Sequence, residues 1–487
     1  MTRAYRFLAV APCFLAGALV TACSVGPNFH APAAPVQTAY DKEGTAPMIA
    51  PAGVAGGAQQ WVAGMPQDKW WLAYGSAQLD TLVDEALRAN TDLAAANAAL
   101  KAANETYLST RGILLPTVDG AINATQNKSS QYLSPVPNAN SFHYGLQTAQ
   151  VTVGYQLDLF GLNRRTVEQS RAQYDMQAYQ TQAARISLIN NVIAAALLEA
   201  SLRAQLASQE RLIAIQQKTL DILHRQLAAG QIAGADVLAQ DAALAAAQAA
   251  LPPLRRAHAQ ATDLIAYLTG RSAATALPDV INLASIALPR DLPLSLPSEL
   301  VRQRPDIRAA EAQLHAASAA VGIATANRLP QITLTAAGGA SAGGFGSILS
   351  AANSFWTLGA GLAQPIFQGG TLLHKQRAAR AAYDQADAQY RSAVLAAFQN
   401  VADTLAALRT DTEALDADVK ARDSAQASMK VSAHLFEQGQ TSFANALIAE
   451  TALRQAEQTL VQAQVARLTD TAALFEALGG GWSGGKP

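Results

Sequence analysis

The clearest chemical signal in the sequence is a cysteine that follows small residues near the amino terminus. Residues 20–23 read Val-Thr-Ala-Cys, the pattern of a bacterial lipobox, in which the chain is cleaved before Cys23 and the cysteine receives three acyl chains. A basic start and an apolar stretch at residues 7–19 precede it, as in a secretory signal. Several acyl chains, each stabilising by ~0.8 kcal/mol per buried CH₂, anchor firmly. We predict a signal peptide at residues 1–22 and lipidation of Cys23; an ordinary signal peptide with an incidental cysteine is the alternative.

The cysteine count supports this interpretation. Cys13 lies within the predicted signal peptide, so the mature chain keeps only Cys23 and cannot form a disulfide framework. Ser24 stands where an aspartate would signal retention in the inner membrane, which favours the outer membrane. After the amino terminus, no uninterrupted apolar stretch of ~18 residues indicates a membrane-spanning helix.

Residues able to support catalysis or hold a metal form no recognisable motif. The seven histidines are scattered, and neither an HExxH nor a CxxC pattern occurs. Residues 480–487 resemble a phosphate-binding loop, but Pro487 stands where a magnesium-binding hydroxyl is required. We find no acid–base pair or activated nucleophile in the sequence either. The sequence therefore predicts no enzyme, no cofactor and no metal site.

The charged residues give no indication of a nucleic-acid partner, since the formal net charge is −1. One acidic group on a predicted helix consists of Asp411, Glu413, Asp416 and Asp418. We interpret it as a solvated helix face, with a cation-attracting patch inside a lumen as the alternative.

The elements that must position these residues occur twice in the chain. Residues 90–118 align without gaps to residues 304–332, and residues 227–251 align to residues 436–460. The offset changes from 214 to 209, which places five extra residues in the first copy, at a predicted loop in residues 126–141. The predicted organisation is a signal peptide 1–22, a lipid-anchored segment 23–75, repeat 1 at 76–271, a proline-rich linker 272–297, repeat 2 at 298–482 and a flexible tail 483–487.

Each copy is predicted to contain a helix, two strands and a long helical hairpin. The first helix covers residues 93–114 or 307–328 and ends at a Leu-Pro pair. The long tracts at residues 162–229 and 371–438 contain no proline, and 68 residues at 1.5 Å each form a helix of roughly 100 Å.

The hairpins are predicted to turn at glycines. Gly230 and Gly439 are C-caps of the long tracts, and a second helix runs back from each. The returning helix of the first copy is predicted to break at Pro252 and Pro253, whereas its counterpart continues to about residue 478.

The four predicted strands alternate with period two. Val118 and Ile122 share a face opposite Asp119 and Asn123, and the other strands show the same separation. The alternation fits a transmembrane barrel and a half-buried soluble sheet equally well. Because a membrane barrel needs at least ~8 strands, several chains would have to supply one. A glycine-rich run at residues 338–346 is predicted to be an extracellular hairpin loop, and Trp70 with Trp71 a packing anchor.

Motifs along nearly the whole mature chain resemble those of the TolC-type outer membrane factors, in particular their lipoprotein branch, called NodT or OprM-like. The motifs are Cys23-Ser-Val-Gly-Pro-Asn-Phe-His-Ala-Pro32, Trp70-Trp71 with Leu79-Asp80 and Asn90-Thr-Asp-Leu93, Leu157-Asp-Leu-Phe-Gly161, Arg304-Pro-Asp-Ile-Arg308 and Ala477-Leu-Gly-Gly-Gly-Trp482. The resemblance implies a mostly helical fold with a membrane β-barrel: a homotrimer whose twelve-stranded barrel continues into a twelve-helix α-barrel, each protomer supplying four strands and two hairpins. It also implies the outer-membrane channel of a tripartite efflux pump: a passive exit duct for small molecules such as drugs, toxic organic compounds or metal ions. This duct would extend from the outer membrane into the periplasm and work with a periplasmic adaptor and an inner-membrane RND-type transporter, which drives export.

The resemblance also assigns roles to residues at the hairpin tips. Gly230, Gln231, Gly439 and Gln440 would dock the adaptor, and the residues just after the glycines would form a periplasmic gate. Relatives often carry acidic residues at the positions of Asn445 and Ile448, and some carry an arginine at the position of Thr441. Asp236 does match the acid of the family.

This chain therefore lacks the usual acidic ring at those two gate positions. We expect Ile448 to narrow the gate by packing, with Asp236 and Asn445 hydrogen-bonded nearby; simple packing of Ile448 between helices is the alternative. Two other functions remain open from the sequence: a duct for type I protein secretion, and a non-conducting structural lipoprotein that spans the periplasm.

Overall fold

The structure of the chain is a computed structural model. It describes residues 24–33, 39–40, 58–128, 130, 143–275, 281–283 and 286–482. The predicted signal peptide, Cys23 and the tail at residues 483–487 lie outside these residues, so the predictions that concern them stay predictions.

Most of the described chain is helical. The helices are α1 (Ala77–Ala89), α2 (Thr91–Arg111), α3 (Leu162–Ala228), α4 (Gly234–Leu268), α5 (Pro297–Gln303), α6 (Pro305–Ala326), α7 (Thr371–Glu437) and α8 (Phe443–Ala477). The strands are β1 (Gln60–Ala63), β2 (Thr117–Lys128), β3 (His143–Leu157), β4 (Asp291–Leu294), β5 (Gln331–Ala342) and β6 (Ser354–Ala363). A short 3-10 helix, Trp70–Tyr74, precedes α1.

The long helical tracts are confirmed. Both α3 and α7 contain 67 residues, one fewer than predicted, and a 35-residue helix follows each of them. An apolar window within α3 could cross a membrane by length and composition alone, but 56% of it is buried within the protein. Packing therefore accounts for its apolar character.

The predicted break at Pro252 and Pro253 is wrong, because α4 continues through both prolines. Proline in a helix removes a backbone hydrogen bond and costs roughly 3 kcal/mol, yet the flanking alanine-rich turns favour helix. A tertiary contact also supports the turn before the prolines, where the Gln209 amide of α3 donates to the Ala247 carbonyl over 2.7 Å.

Two sheets are present among the described residues. A small parallel sheet pairs β1 with β4, and a four-stranded antiparallel sheet has the order β2-β3-β5-β6. The prediction that residues 338–346 form a loop is wrong for its first half, since β5 runs to Ala342. Gly339 is required there because a Cβ would clash with the carbonyl oxygen of Ala149 on β3.

The chain forms two compact units. The first contains the described residues within 1–32, 101–176 and 310–390, and it holds the four-stranded sheet. The second contains the described residues within 33–100, 177–309 and 391–487, and it holds the small sheet, the 3-10 helix and the hairpin tips.

Candidate functional site

The four-stranded sheet has one apolar and one polar face, as the period-two alternation predicts. Cross-strand partners lie on the same side of a sheet, and in the observed register Val153 lies opposite both Val118 and Ala336. The large apolar residues of one face are Val118, Ile122, Val151, Val153, Leu334, Trp356, Leu358 and Leu362. The polar residues of the other face include Asp119, Asn123, Thr148, Gln150, Thr152, Thr333, Thr335 and Thr357.

The apolar face is uncovered in the single protomer. Ile122, Trp356 and Leu358 expose 73%, 76% and 73% of their surface to solvent. The strands contain 12, 15, 12 and 10 residues, and about nine to eleven residues cross a bilayer when tilted. A contiguous apolar surface formed by eight large side chains indicates a contact with lipid or with other protein.

The polar face carries hydrogen bonds and many small residues. The hydroxyls of Thr148 and Ser341 lie 2.9 Å apart, and the Gln156 amide donates to the Gln331 side chain over 2.8 Å. Gly359 and Gly361 lie on the same face of β6. The glycines add no side chains to this face, so they leave space beside β6.

The sheet is open at both edges. Within the described ranges, β2 pairs with β3 alone and β6 pairs with β5 alone. Unpaired backbone donors and acceptors on long edge strands favour the addition of further strands. The protomer therefore presents an unfinished sheet whose apolar face is also uncovered.

The segment just after Cys23 packs against the turn between β3 and α3. The Val25 N–H donates to the Phe160 carbonyl over 3.0 Å. Gly26 adopts a positive φ of 91°, and a Cβ there would lie 2.5 Å from the Cα of Gly322 on α6. The lack of a side chain at Gly26 therefore permits this close approach. Gly26 lies in the motif that follows Cys23, but the motif alone does not predict this contact.

Arg165 holds the same segment through its side chain. Its guanidinium donates to the Asn28 side chain over 2.7 Å and pairs with Glu168 over 2.7 Å. Glu168 also contacts His315 over 2.9 Å, and the His315 ring stacks on Phe29 at 4.4 Å. We call residues 24–29 together with these partners the amino-terminal clamp. Nothing in the spacing of Arg165 and Asn28, 137 residues apart, could have predicted it.

The hairpin tips have the same backbone geometry in both copies. Gly230 and Gly439 adopt φ values of 72° and 69°, in the left-handed region that favours glycine. The N–H groups of Gln231 and Gln440 each donate to a carbonyl five residues earlier over 2.9 Å. This is the Schellman arrangement, and it confirms the prediction of glycine C-caps.

The predicted gate residues lie in the first turns after these tips. Asp236 is half-buried in the first turn of α4, where a carboxylate interacts favourably with the helix dipole. The Asn445 amide donates to the Thr441 hydroxyl over 3.0 Å, within its own hairpin. Ile448 is 67% exposed in the protomer, so it is not packed between the helices of one chain.

The prediction of a packing anchor at Trp70 and Trp71 is confirmed. Both side chains are buried, with 3% and 2% exposure. Trp70 stacks on Phe475 of α8 at 4.7 Å, and the Trp71 indole donates to Asp80 over 3.0 Å. These contacts fix the segment before α1 to the returning helix of the second copy.

The acidic group on α7 is only partly a solvated face. Glu413 is exposed and Asp416 pairs with Lys420, but Asp411 lies half-buried among other charged groups. Burial, reinforced by a hydrogen bond to Asp470, raises the pKa of the Asp411 carboxyl to about 7. The helical period could not predict this, because the groups around Asp411 come from another helix.

Three of the histidines contact polar side chains or rings. His258 lies 2.9 Å from Glu199, His315 belongs to the amino-terminal clamp, and His434 lies 2.9 Å from the Gln438 amide. Among the residues that the structure describes, no group of three or more histidine, cysteine and acidic residues could hold a metal ion.

Comparison with known proteins identifies the architecture. The sequence profile of the outer membrane efflux protein family matches residues 82–271 and 296–480. The solvent efflux pump outer membrane protein SrpC of Pseudomonas putida is 30% identical over 468 residues, covering 95% of this chain and 96% of the relative. The pyoverdine export outer membrane protein OpmQ of Pseudomonas aeruginosa is 27% identical and covers 85% of this chain and 87% of the relative.

Solved structures agree with these relatives. The outer-membrane channel OprN superposes with a TM-score of 0.84 at 28% identity, covering 94% of this chain and 100% of that chain. The open-state outer membrane channel MtrE of Neisseria gonorrhoeae superposes with a TM-score of 0.80 at 26% identity, covering 94% and 98%. The predicted mostly helical, TolC-type channel fold is confirmed at this level.

Proposed function

The chain belongs to the outer membrane efflux protein family, and from this premise we propose that three copies join their sheets into one twelve-stranded barrel. The chain is an outer-membrane channel component of an efflux pump and is not an enzyme. Such a component works with a periplasmic adaptor and an inner-membrane transporter, which supplies the driving force. The names of the relatives, which mention solvents, toluene, pyoverdine and antibiotics, support small molecules as the cargo.

The observation that carries the proposal is the open, two-faced sheet. Each unpaired backbone group costs several kcal/mol in lipid, so strands in a membrane must close into a barrel. Two copies would give eight strands, and the interior of an eight-stranded barrel is just wide enough for side chains to fill. Three copies give twelve strands and leave room for a pathway. The apolar face would then meet lipid, and the polar face would line the lumen.

The long hairpins are compatible with three copies. Each protomer has four hairpin helices, α3, α4, α7 and α8, so three protomers supply twelve. These helices would continue the barrel into the periplasm as an α-barrel, with repeat 1 at residues 76–271 and repeat 2 at 298–482. Gly230, Gln231, Gly439 and Gln440 at the exposed tips would dock the adaptor.

Lipidation of Cys23 is part of the proposal, and the amino-terminal clamp supports it. Ser24 contacts the turn that follows β3, since a Cβ on Gly161 would lie 2.5 Å from the Ser24 hydroxyl. An acylated Cys23, one residue earlier, would therefore lie beside the end of a membrane strand. Acyl chains at that position could enter the membrane leaflet directly.

Two measurements test the channel. The mass of the detergent-solubilised protein should correspond to three copies, and the purified protein should conduct ions in planar bilayers. A non-conducting protein, or an assembly of two copies, would contradict the proposal. Labelling with a radioactive fatty acid should depend on Cys23 and disappear in the Cys23→Ser variant.

The gate is tested separately. Ile448 exposes 67% of its surface in the protomer, so in a trimer it can narrow the lumen by contact with its symmetry copies. Ile448→Ser should raise the single-channel conductance because the side chain becomes smaller and polar. Leu238→Ser is a matched control, since Leu238 is 71% exposed but is not among the predicted gate residues. Unchanged conductance in Ile448→Ser would mean that the gate closes elsewhere.

A further inference from the structure

Two carboxyl groups from helices α7 and α8 meet in the second compact unit. Asp411 on α7 lies within hydrogen-bonding distance of Asp470 on α8. The Oδ2 atom of Asp411 is buried, and no side chain or backbone group donates a hydrogen bond to it among the described residues. Two ionised carboxylates cannot donate to one another, so the contact requires a proton.

A buried arginine stands beside this pair. Arg467 lies on α8, is 0% exposed, and stabilises the charged form of Asp411 electrostatically. Its Nε donates to the Gln59 side chain over 3.2 Å. The Gln59 amide in turn donates to the Pro289 carbonyl over 2.9 Å and to the Thr471 hydroxyl over 3.2 Å. The arginine thus ties the segments that lead into β1 and β4 to helix α8.

We propose that Asp411 and Asp470 share one proton that holds α7 against α8, and that release of this proton as the pH rises to neutrality loosens the contact. With the proton, one carboxylate balances the charge of Arg467 and the group is neutral. Without it, two adjacent carboxylates face one guanidinium, and the half-buried group carries a net charge of −1. Like charges at this distance repel, and burial strengthens the repulsion.

The pKa shifts of the charged and titratable groups around the pair support the shared proton. Burial and then the neighbouring Asp470 raise the pKa of Asp411 to about 7, against the opposing effect of Arg467. Burial lowers the pKa of Arg467 from its usual value, and Asp411 opposes this. Tyr74 of the 3-10 helix faces Asp470; burial and that carboxylate raise its pKa well above 10. Tyr74 therefore stays neutral and brings no compensating charge.

The direction of the pH effect follows from linkage. The folded protein holds the proton more tightly than an opened form, in which the Asp411 carboxyl would return to its ordinary value of 3.8. Closure is therefore most favourable below that value. The free energy that favours closure decreases as the pH rises from 3.8 to about 7, and it changes little above pH 7. The contact between α7 and α8 would loosen in this way whether or not the protein conducts ions.

Hydrogen–deuterium exchange on the full detergent-solubilised protein tests the proposal. Amide exchange in peptides covering residues 404–418 and 461–475 is measured from pH 5 to 8 and corrected for the intrinsic pH dependence of exchange. In the wild-type protein the corrected rate should rise about tenfold or more between pH 5 and 7 and then level off. In Asp411→Asn, whose amide mimics the protonated carboxyl, the corrected rate should be independent of pH.

Asp416→Asn is the matched control, because this carboxylate lies five residues further along α7 and its side chain is 45% exposed. It should keep the wild-type pH profile. Infrared spectroscopy provides a second readout: a protonated carboxyl band present at pH 6 should be lost as the pH rises to 8. The band should be absent from Asp411→Asn, and in Asp470→Asn it should be lost at a lower pH than in the wild-type protein, because burial still raises the Asp411 pKa but the neighbouring carboxyl does not. A flat wild-type profile, or an unchanged profile in Asp411→Asn, would overturn the proposal.

Discussion

The orientation of the sheet can be tested by a charge placed on either side of one strand. Thr357 and Leu358 are neighbours in the middle of β6, which runs from Ser354 to Ala363. They lie on opposite faces of the sheet, and Leu358 is 73% exposed in the protomer. We expect Leu358→Arg to place a guanidinium in lipid and Thr357→Arg to place it in the lumen.

The magnitude follows from the position in the strand. Leu358 is the fifth of ten residues in β6, so it would lie near the bilayer midplane. An arginine on the lipid face at that depth costs about 2–4 kcal/mol in a membrane barrel, and three copies would add to about 6–12 kcal/mol for the trimer. At 1.4 kcal/mol per factor of ten, even the cost in one copy lowers the equilibrium for insertion by at least tenfold. An arginine in the lumen should cost little stability.

Assembly and conductance are measured for both variants in the same membranes. The fraction of heat-resistant trimer in outer-membrane extracts should fall in Leu358→Arg and stay near wild type in Thr357→Arg. The conductance and cation preference of assembled channels should fall in Thr357→Arg, because three guanidinium groups enter the pathway. If Thr357→Arg failed to assemble while Leu358→Arg was silent, the faces would be reversed. If neither variant differed from wild type, the sheet would not lie in the membrane.

Two further predictions concern packing. Trp70→Ala should destabilise the folded protein by roughly 3–5 kcal/mol, because Trp70 is 3% exposed and stacks on Phe475. Leu72→Ala, at 51% exposure, should have little effect in the same urea titration, and equal effects would contradict the anchor role. Gly339→Ala should disrupt the pairing of β3 with β5 and reduce trimer yield, since a Cβ would clash with a β3 carbonyl. Gly338→Ala is its control, because the nearest atom to that Cβ lies 3.9 Å away, and a normal yield in both would refute the packing argument.

The sequence could predict the faces of the four strands because their alternation does not depend on partners. Side chains alternate along any extended chain, so Val118 and Leu358 could be assigned to the apolar face before their neighbours were known. The register then follows wherever one face must be apolar throughout. The long helices were predictable for a similar reason, since their glycine ends are local signals.

Contacts between distant segments could not be predicted. Arg467 and Gln59 are 408 residues apart, and neither residue lies in a recognisable motif. Asp411 looked like its exposed neighbours on α7 because the helical period describes one helix and not the helix packed against it. The prediction at the prolines of α4 was wrong for the opposite reason. The low helix propensity of proline favoured a break, but tertiary packing overrides it.

The two hairpin tips have the same backbone structure but differ in charge. Their backbones are equivalent, with glycine φ values of 72° and 69° and the same Schellman bonds, so both helices after the tips begin in the same way. The side chains six residues after the glycines differ, however: Asp236 in the first copy and Asn445 in the second. In a trimer the gate would therefore carry three carboxylates at this level and three amides. A ring of three carboxylates and three neutral amides carries half the charge of six carboxylates at the same radius, so the repulsion within it is weaker. Closure of the proposed gate can then rest on apolar contacts such as those of Ile448, without an ion pair to offset repulsion.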